Sequence, residues 1–181
     1  MAYDKAVIQL LRFLGVANAG GWLGAAVFVT LFSGPAFFSP EMINALKYKY
    51  YAGLAAQIFL GRYFIFLYLC ALVALAHLLA EWLYLGRRVS RLTVGLWAGL
   101  TALILIGGVG LQPKLHRLHE AMYAGGNAAQ QTEAARTFYF WHGLSQAANL
   151  LMLAGLLFFF WRTLFSAQET ARSSGYWKFR S

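Results

Sequence analysis

Four residues in the last third of the chain, His142, Ser145, Gln146 and Asn149, carry the polar side chains best placed to do chemistry in a sequence dominated by aliphatic and aromatic residues. On a helix, offsets of three, four and seven from the histidine put all four on or beside one face. Such a stripe is costly inside a membrane unless it meets protein, water or a ligand. Gln112 closes an apolar run just before Pro113, and Gln57 and Arg62 open another, so these three join the same polar cluster. A second group, His116-x-x-His119-Glu120, places three possible metal donors within about one helical turn, and His142 could add a fourth. One imidazole among aromatic rings also suits axial ligation of haem or chlorin, by His142 or by His77. His77 and Glu81, four apart, suggest an interfacial hydrogen bond or ion pair that orients their helix, with Arg88 on the same face. The sequence holds no Ser-His-Asp arrangement, phosphate loop or intramembrane carboxylate pair, so no residue is assigned a catalytic role and hydrolases and nucleotide-driven pumps drop out.

The solvent around these residues follows from composition. The chain has 181 residues, 60% hydrophobic and 12% charged, against about 25% charged in an ordinary soluble domain. A mean hydropathy of +0.57 points the same way. Too few charges exist to cover a water-facing surface, so the expected solvent is lipid. The net charge of +9 comes from Lys and Arg scattered singly or in pairs, without the dense basic face of a nucleic-acid binder. Cys70 is the only cysteine, which excludes an internal disulfide and any Cys-based zinc site.

Four stretches lack Asp, Glu, Lys and Arg: Phe13 to Pro40, Tyr63 to Ala80, Leu92 to Pro113, and Thr137 to Trp161. Crossing hydrocarbon takes roughly 20 mostly apolar residues. The expected architecture is an all-α, integral membrane four-helix bundle in one domain over residues 1–181, with spans at about 10–36, 58–84, 92–113 and 137–161. Residues 41–57, basic and tyrosine-rich before an apolar end, suggest an interfacial helix, and 163–181 a polar cytoplasmic tail. Tyr48, Tyr50, Trp82, Tyr139 and Trp161 crowd the span ends as an aromatic belt does. Ala17-Asn18-Ala19 mimics a signal-peptide cleavage site, but Asp4 and Arg12 interrupt the leader and hydrophobicity continues beyond, so this stretch reads as an uncleaved first span.

With four spans, the N-terminus, the Gly86 to Arg91 loop and the C-terminal tail share one side. That side holds Lys5, Arg12, Arg87, Arg88, Arg91, Arg162, Arg172, Lys178 and Arg180, most of the 15 Lys and Arg. Positive flanks face the cytoplasm, so both termini are expected there. His142, six residues past Arg136, would lie about 9 Å below that headgroup level at 1.5 Å per residue. The polar cluster therefore belongs to the non-cytoplasmic half. Gly20 and Gly24 in the first span, and Gly95 and Gly99 in the third, form small-xxx-small seams expected to pack against helices of this chain or another. Phe32, Phe37, Phe38, Phe64, Phe66 and Phe158 to Phe160 are expected to face lipid.

Gly21-Trp22-Leu23-Gly24, Ser33-Gly34-Pro35-Ala36-Phe37-Phe38, Gly61-Arg62, Gln112-Pro113-Lys114 and His142-Gly143-Leu144-Ser145 with Asn149, in this order, resemble the four-helix membrane family that includes transmembrane protein 205 and its bacterial relatives. The resemblance covers residues 8 to 160. It implies an integral membrane protein without an established molecular activity, distantly similar to copper-resistance membrane proteins and to a haem-binding oxidase of porphyrin synthesis. The expected function is a non-catalytic accessory or structural subunit of a larger membrane assembly, or a homo-oligomer, whose partners are the lipid bilayer and other membrane proteins. The competing expectation is a metal- or haem-binding protein handling copper or redox chemistry through His142 with His116 and His119. A small-molecule or ion path through the polar half comes third.

Overall fold

The computed structural model describes residues 5–86, 90–124 and 127–176, with the backbone alone for Lys5, Leu85 and 166–176. Asp4, Arg87, Arg88, Lys178 and Arg180, used above for the leader, the loop and the orientation, lie outside the described residues. Five helical units follow one another. The first, α1, runs Lys5–Phe28, widens into a π-helical turn at Val29–Ser33 and ends in Gly34–Phe37. A short α2 spans Pro40–Leu46 and a long α3 spans Lys49–Leu85. α4 runs Arg91–Leu105, widens at Ile106–Leu111 and continues as Gln112–Tyr123, and α5 spans Ala128–Tyr176. Among the described residues there is no strand, and the architecture is an all-α bundle.

Local chemistry sets the breaks. The Ser39 hydroxyl accepts from the Met42 amide at 3.2 Å and Pro40 takes the first turn of α2, where no donor is needed. Lys47, at φ 65°, then caps α2 in the left-handed region. The interfacial stretch expected as one helix is thus cut at Lys47, and the chain turns directly into α3. Gly86, at φ 61°, ends α3 in the same conformation, which glycine adopts without a Cβ penalty. Ser90 opens α4 by accepting from the Thr93 amide at 3.2 Å, and the same hydroxyl accepts from Arg162 Nη2 at 3.0 Å, tying the loop to α5.

The two π-helical turns share one cause. Each stands just before an X-Pro pair, Gly34-Pro35 and Gln112-Pro113. A proline ring clashes with the carbonyl four residues back and offers no amide hydrogen. The ladder shifts by one residue instead: the Gly34 amide donates to Val29 O and the Gln112 amide to Gly107 O, five residues back in both cases.

Four helices are long and apolar enough to cross a membrane: Ala6–Phe37, Lys49–Tyr84, Arg91–Tyr123 and Ala128–Phe165. α1 packs on α3 and α5, and α4 on the same two, closing a ring of four. The shared core is Trp22 with Ala19 and Ala26, then Leu67, Ala71, Leu100, Ile104 and Leu156. Trp22 meets the edge of Phe159 with ring centroids 5.9 Å apart. Small residues on α1 and α3 let the backbones approach, while Phe13, Phe140, Leu72 and Val109 stand outward. Inter-helical hydrogen bonds converge on α3, where Asn18 Nδ2 donates to Cys70 O at 3.0 Å and Trp97 Nε1 to Ala71 O at 2.9 Å.

Several aromatic positions expected to face lipid do not. Phe159 is buried on Trp22, Phe160 lies beside Gly20, Phe37 packs on Phe59 with centroids 5.5 Å apart, and Phe64 lies across Gly107 and Gly108. The glycine seams also sort themselves. Gly20 touches Phe160, whereas a Cβ at Gly24, Gly95 or Gly99 would meet nothing within 4 Å. Close approach falls elsewhere: a Cβ at Gly15 would overlap the His77 ring, one at Gly53 the His119 ring, and one at Gly108 the Tyr68 hydroxyl.

Candidate functional site

A chamber of about 530 Å³ opens between the four long helices, in the half of the bundle that holds both π-helical turns. Its volume lies in the range of small-molecule sites, about 300–1,000 Å³. The turns form two of its walls: Val29, Thr30 and Pro35 from α1, and Gly107, Leu111 and Gln112 from α4. A widened turn pushes backbone and side chains out of the helical register and recurs at functional sites. α3 contributes Gln57, Tyr63 and Phe64, and α5 contributes His142, Ser145, Gln146 and Asn149. Pro35, Phe38 and Gln146 of its wall are exposed, so the chamber is not sealed from the surroundings of the bundle.

Six of the seven residues first grouped as a polar cluster therefore come together. Arg62 stays outside, exposed and absent from the wall, because the residue that α3 turns inward here is its neighbour Tyr63. The wall is hydrogen-bonded from helix to helix. Asn149 Nδ2 donates to Thr30 Oγ1 at 2.8 Å, and the Thr30 hydroxyl in turn donates to Ala26 O at 2.7 Å. Gln112 Nε2 reaches Gln57 O at 3.4 Å, Ser145 Oγ donates to His142 O at 2.7 Å, and Gln146 Nε2 lies 3.3 Å from His142 Nε2. Two wall atoms have no partner, the Tyr63 hydroxyl and Gln57 Oε1. A buried polar group left so costs about 1–3 kcal/mol. No Asp, Glu, Lys or Arg lines the chamber. Thr30 and Tyr63 were missed in the sequence, where a threonine four residues before Gly34-Pro35 was the available signal.

The histidines are placed otherwise than a metal site requires. His116 Nε2 pairs with Glu120 Oε1 at 3.6 Å on the outer side of α4, both side chains about half exposed. His119, three residues on, is 6% exposed, stacked on Tyr50 with centroids 5.5 Å apart and planes 11° apart, and seated on Gly53. Phe138 stands between the two remaining imidazoles, 6.0 Å from His119 and stacked flat on His142 at 5.6 Å. Among the described residues, no three His, Cys, Asp or Glu side chains group to hold a metal ion. The chamber wall offers one imidazole, and no cation to meet the carboxylates of a haem or chlorin. These residues fit neither copper nor a porphyrin. His77 likewise packs on Gly15 with Nδ1 unpartnered, rather than pairing with Glu81.

Four apolar helices in a closed ring, with a neutral polar chamber in one half, define an integral membrane protein of the four-helix class. The chain belongs to the family described as Domain of unknown function (DUF4149), which matches residues 18–124, more than half its length. No curated protein and no solved structure matches it.

Proposed function

We propose that this membrane protein works by binding rather than by catalysis: it holds a small lipophilic molecule in the chamber and serves as an accessory or structural subunit, in a larger membrane assembly or in its own oligomer. The observation that carries the reading is the chamber itself, of ligand size and walled by aromatic rings with a few neutral polar groups. The subunit role is supported by the open space at Gly24, Gly95 and Gly99, where a neighbouring helix would find backbone within reach. Kinship with transmembrane protein 205 and its bacterial relatives belongs to the same reading, as does the orientation with both termini cytoplasmic. Mass spectrometry of lipophiles co-purifying in mild detergent tests the binding role, with Asn149→Leu as control. A chamber that retains nothing saturable would overturn it. Cross-linking in native membranes tests the second part, and a strictly monomeric, partnerless species would overturn that.

A further inference from the structure

We infer that a second site, built of tyrosines at the end of the bundle opposite Gly86, holds the head of a zwitterionic lipid by its quaternary ammonium group. It shares no wall residue with the chamber, so its test is independent of the binding role proposed there. A hollow of about 650 Å³ takes its walls from Tyr48, Lys49, Tyr50, Tyr51, Glu120 and Tyr123. Tyr50 is its fixed part, stacked on the buried His119 with planes 11° apart. Tyr51 and Tyr123 each meet that ring with centroids 5.3 Å apart, at 64° and 62°, and Tyr48 meets Tyr51 at 65°. The four rings thus adjoin at steep angles, as the walls of an aromatic cage do. Tyr48, Tyr51 and Tyr123 are 64%, 48% and 43% exposed, so these rings are within reach of a ligand. A cation over a ring face is attracted by the ring quadrupole. A primary ammonium is strongly hydrated and carries three N–H donors that rings satisfy poorly, whereas a methylated one has no donor to strand. Charge points the same way. Lys49 and Glu120 give the hollow one cation and one anion, which suits an ammonium beside a phosphate and disfavours a purely anionic head. Glu120 is about half exposed, with Oε1 3.6 Å from His116 Nε2. Depth decides the source: Lys49 opens one spanning segment and Tyr123 closes another, so the hollow lies at the level of lipid heads.

The probes are dihexanoyl phospholipids with choline, ethanolamine or glycerol heads, and glycerophosphocholine, which has the head without the chains. Each is titrated into the full chain in a maltoside detergent, which carries no ammonium, and bound adducts are measured by native mass spectrometry. Circular dichroism and elution volume report the fold. The choline lipid should bind about fivefold tighter than the ethanolamine lipid, the scale of one or two cation–ring contacts. The glycerol lipid should bind more weakly still, and glycerophosphocholine should compete only at higher concentration. Tyr51→Leu combined with Tyr123→Leu should erase the preference for choline. Tyr51→Phe combined with Tyr123→Phe should keep it, because a phenyl face retains the quadrupole, and Glu120→Gln should weaken both ammonium lipids. Equal binding of the choline and ethanolamine heads, or a preference unchanged in the leucine variant, overturns the site. A preference lost in the phenylalanine variant as well assigns recognition to the hydroxyls and overturns the cage. Glycerophosphocholine binding as tightly as the choline lipid overturns the lipid source and makes a soluble quaternary ammonium compound the ligand.

Discussion

Asn149 on the last helix donates through Nδ2 to the hydroxyl of Thr30 on the first, 2.8 Å away and 119 residues apart in sequence. This bond closes the ring of helices at the level where α1 widens. It also forms one side of the chamber, so the wall and the bundle share a contact. Between membrane helices such bonds contribute about 0.6–2 kcal/mol. Thr30→Val and Asn149→Leu should each destabilise by about 1 kcal/mol in SDS-driven unfolding from mixed micelles, and the double variant should lose little more than either alone. Fully additive losses would show that the two side chains are not coupled.

Gly53 and Gly24 predict opposite outcomes for one substitution. At Gly53 a methyl group would overlap the His119 imidazole, itself held between Tyr50 and Phe138, so Gly53→Ala should destabilise by about 1–3 kcal/mol. At Gly24, Gly95 and Gly99 the space is open. Alanine there should leave the monomer's unfolding midpoint unchanged or slightly raised, since alanine is the better helix former by about 1 kcal/mol. Leucine at Gly24 or Gly99 should reduce cross-linked oligomer without shifting that midpoint.

The separation of the histidines bears on metals and pigments. Purified protein should show no Soret band and no stoichiometric copper, and His142→Ala should leave both readings unchanged, because no second donor stands with that ring. Elemental analysis and an absorption spectrum check this in one preparation.

Outside the spans, Glu41 in the first turn of α2 has its carboxyl held below the ordinary range by its own backbone amide and by the Ser39 hydroxyl. A carboxyl depressed in the folded state contributes above its unfolded pKa, and that contribution is lost as pH falls through the folded value. Glu41 should therefore titrate at a lower pH than a free glutamate in carbon-detected NMR, and Ser39→Ala should move its midpoint up.

Much of the architecture is legible one residue at a time. Ser39, Gly86 and Ser90 mark helix ends by side-chain capping or left-handed backbone, and Pro35 and Pro113 forbid a regular turn before them, wherever the helices later dock. The inward faces are less legible. In water a helix shows its buried side by hydropathy, but in lipid both sides are apolar, and Phe64 or Phe159 looks no different in sequence from Phe140. The Gly-xxx-Gly spacing of Gly95 and Gly99 marks no contact within the chain, while Gly15 and Gly53, without such spacing, receive the imidazoles.

What the sequence determined by itself is the solvent and the number of crossings, because charge is either present or absent along a stretch and hydrocarbon admits almost none. The tertiary structure decided which of the candidate polar groups meet, leaving Arg62 out and bringing Thr30 and Tyr63 in. Gln57, Gln112 and Asn149 lie on three different helices, and their convergence depends on rotations set by the packing of Trp22 and by the two extra residues that prolines force into α1 and α4. A one-residue shift in a helical ladder turns every later side chain by about 100°. The chamber is the product of those turns.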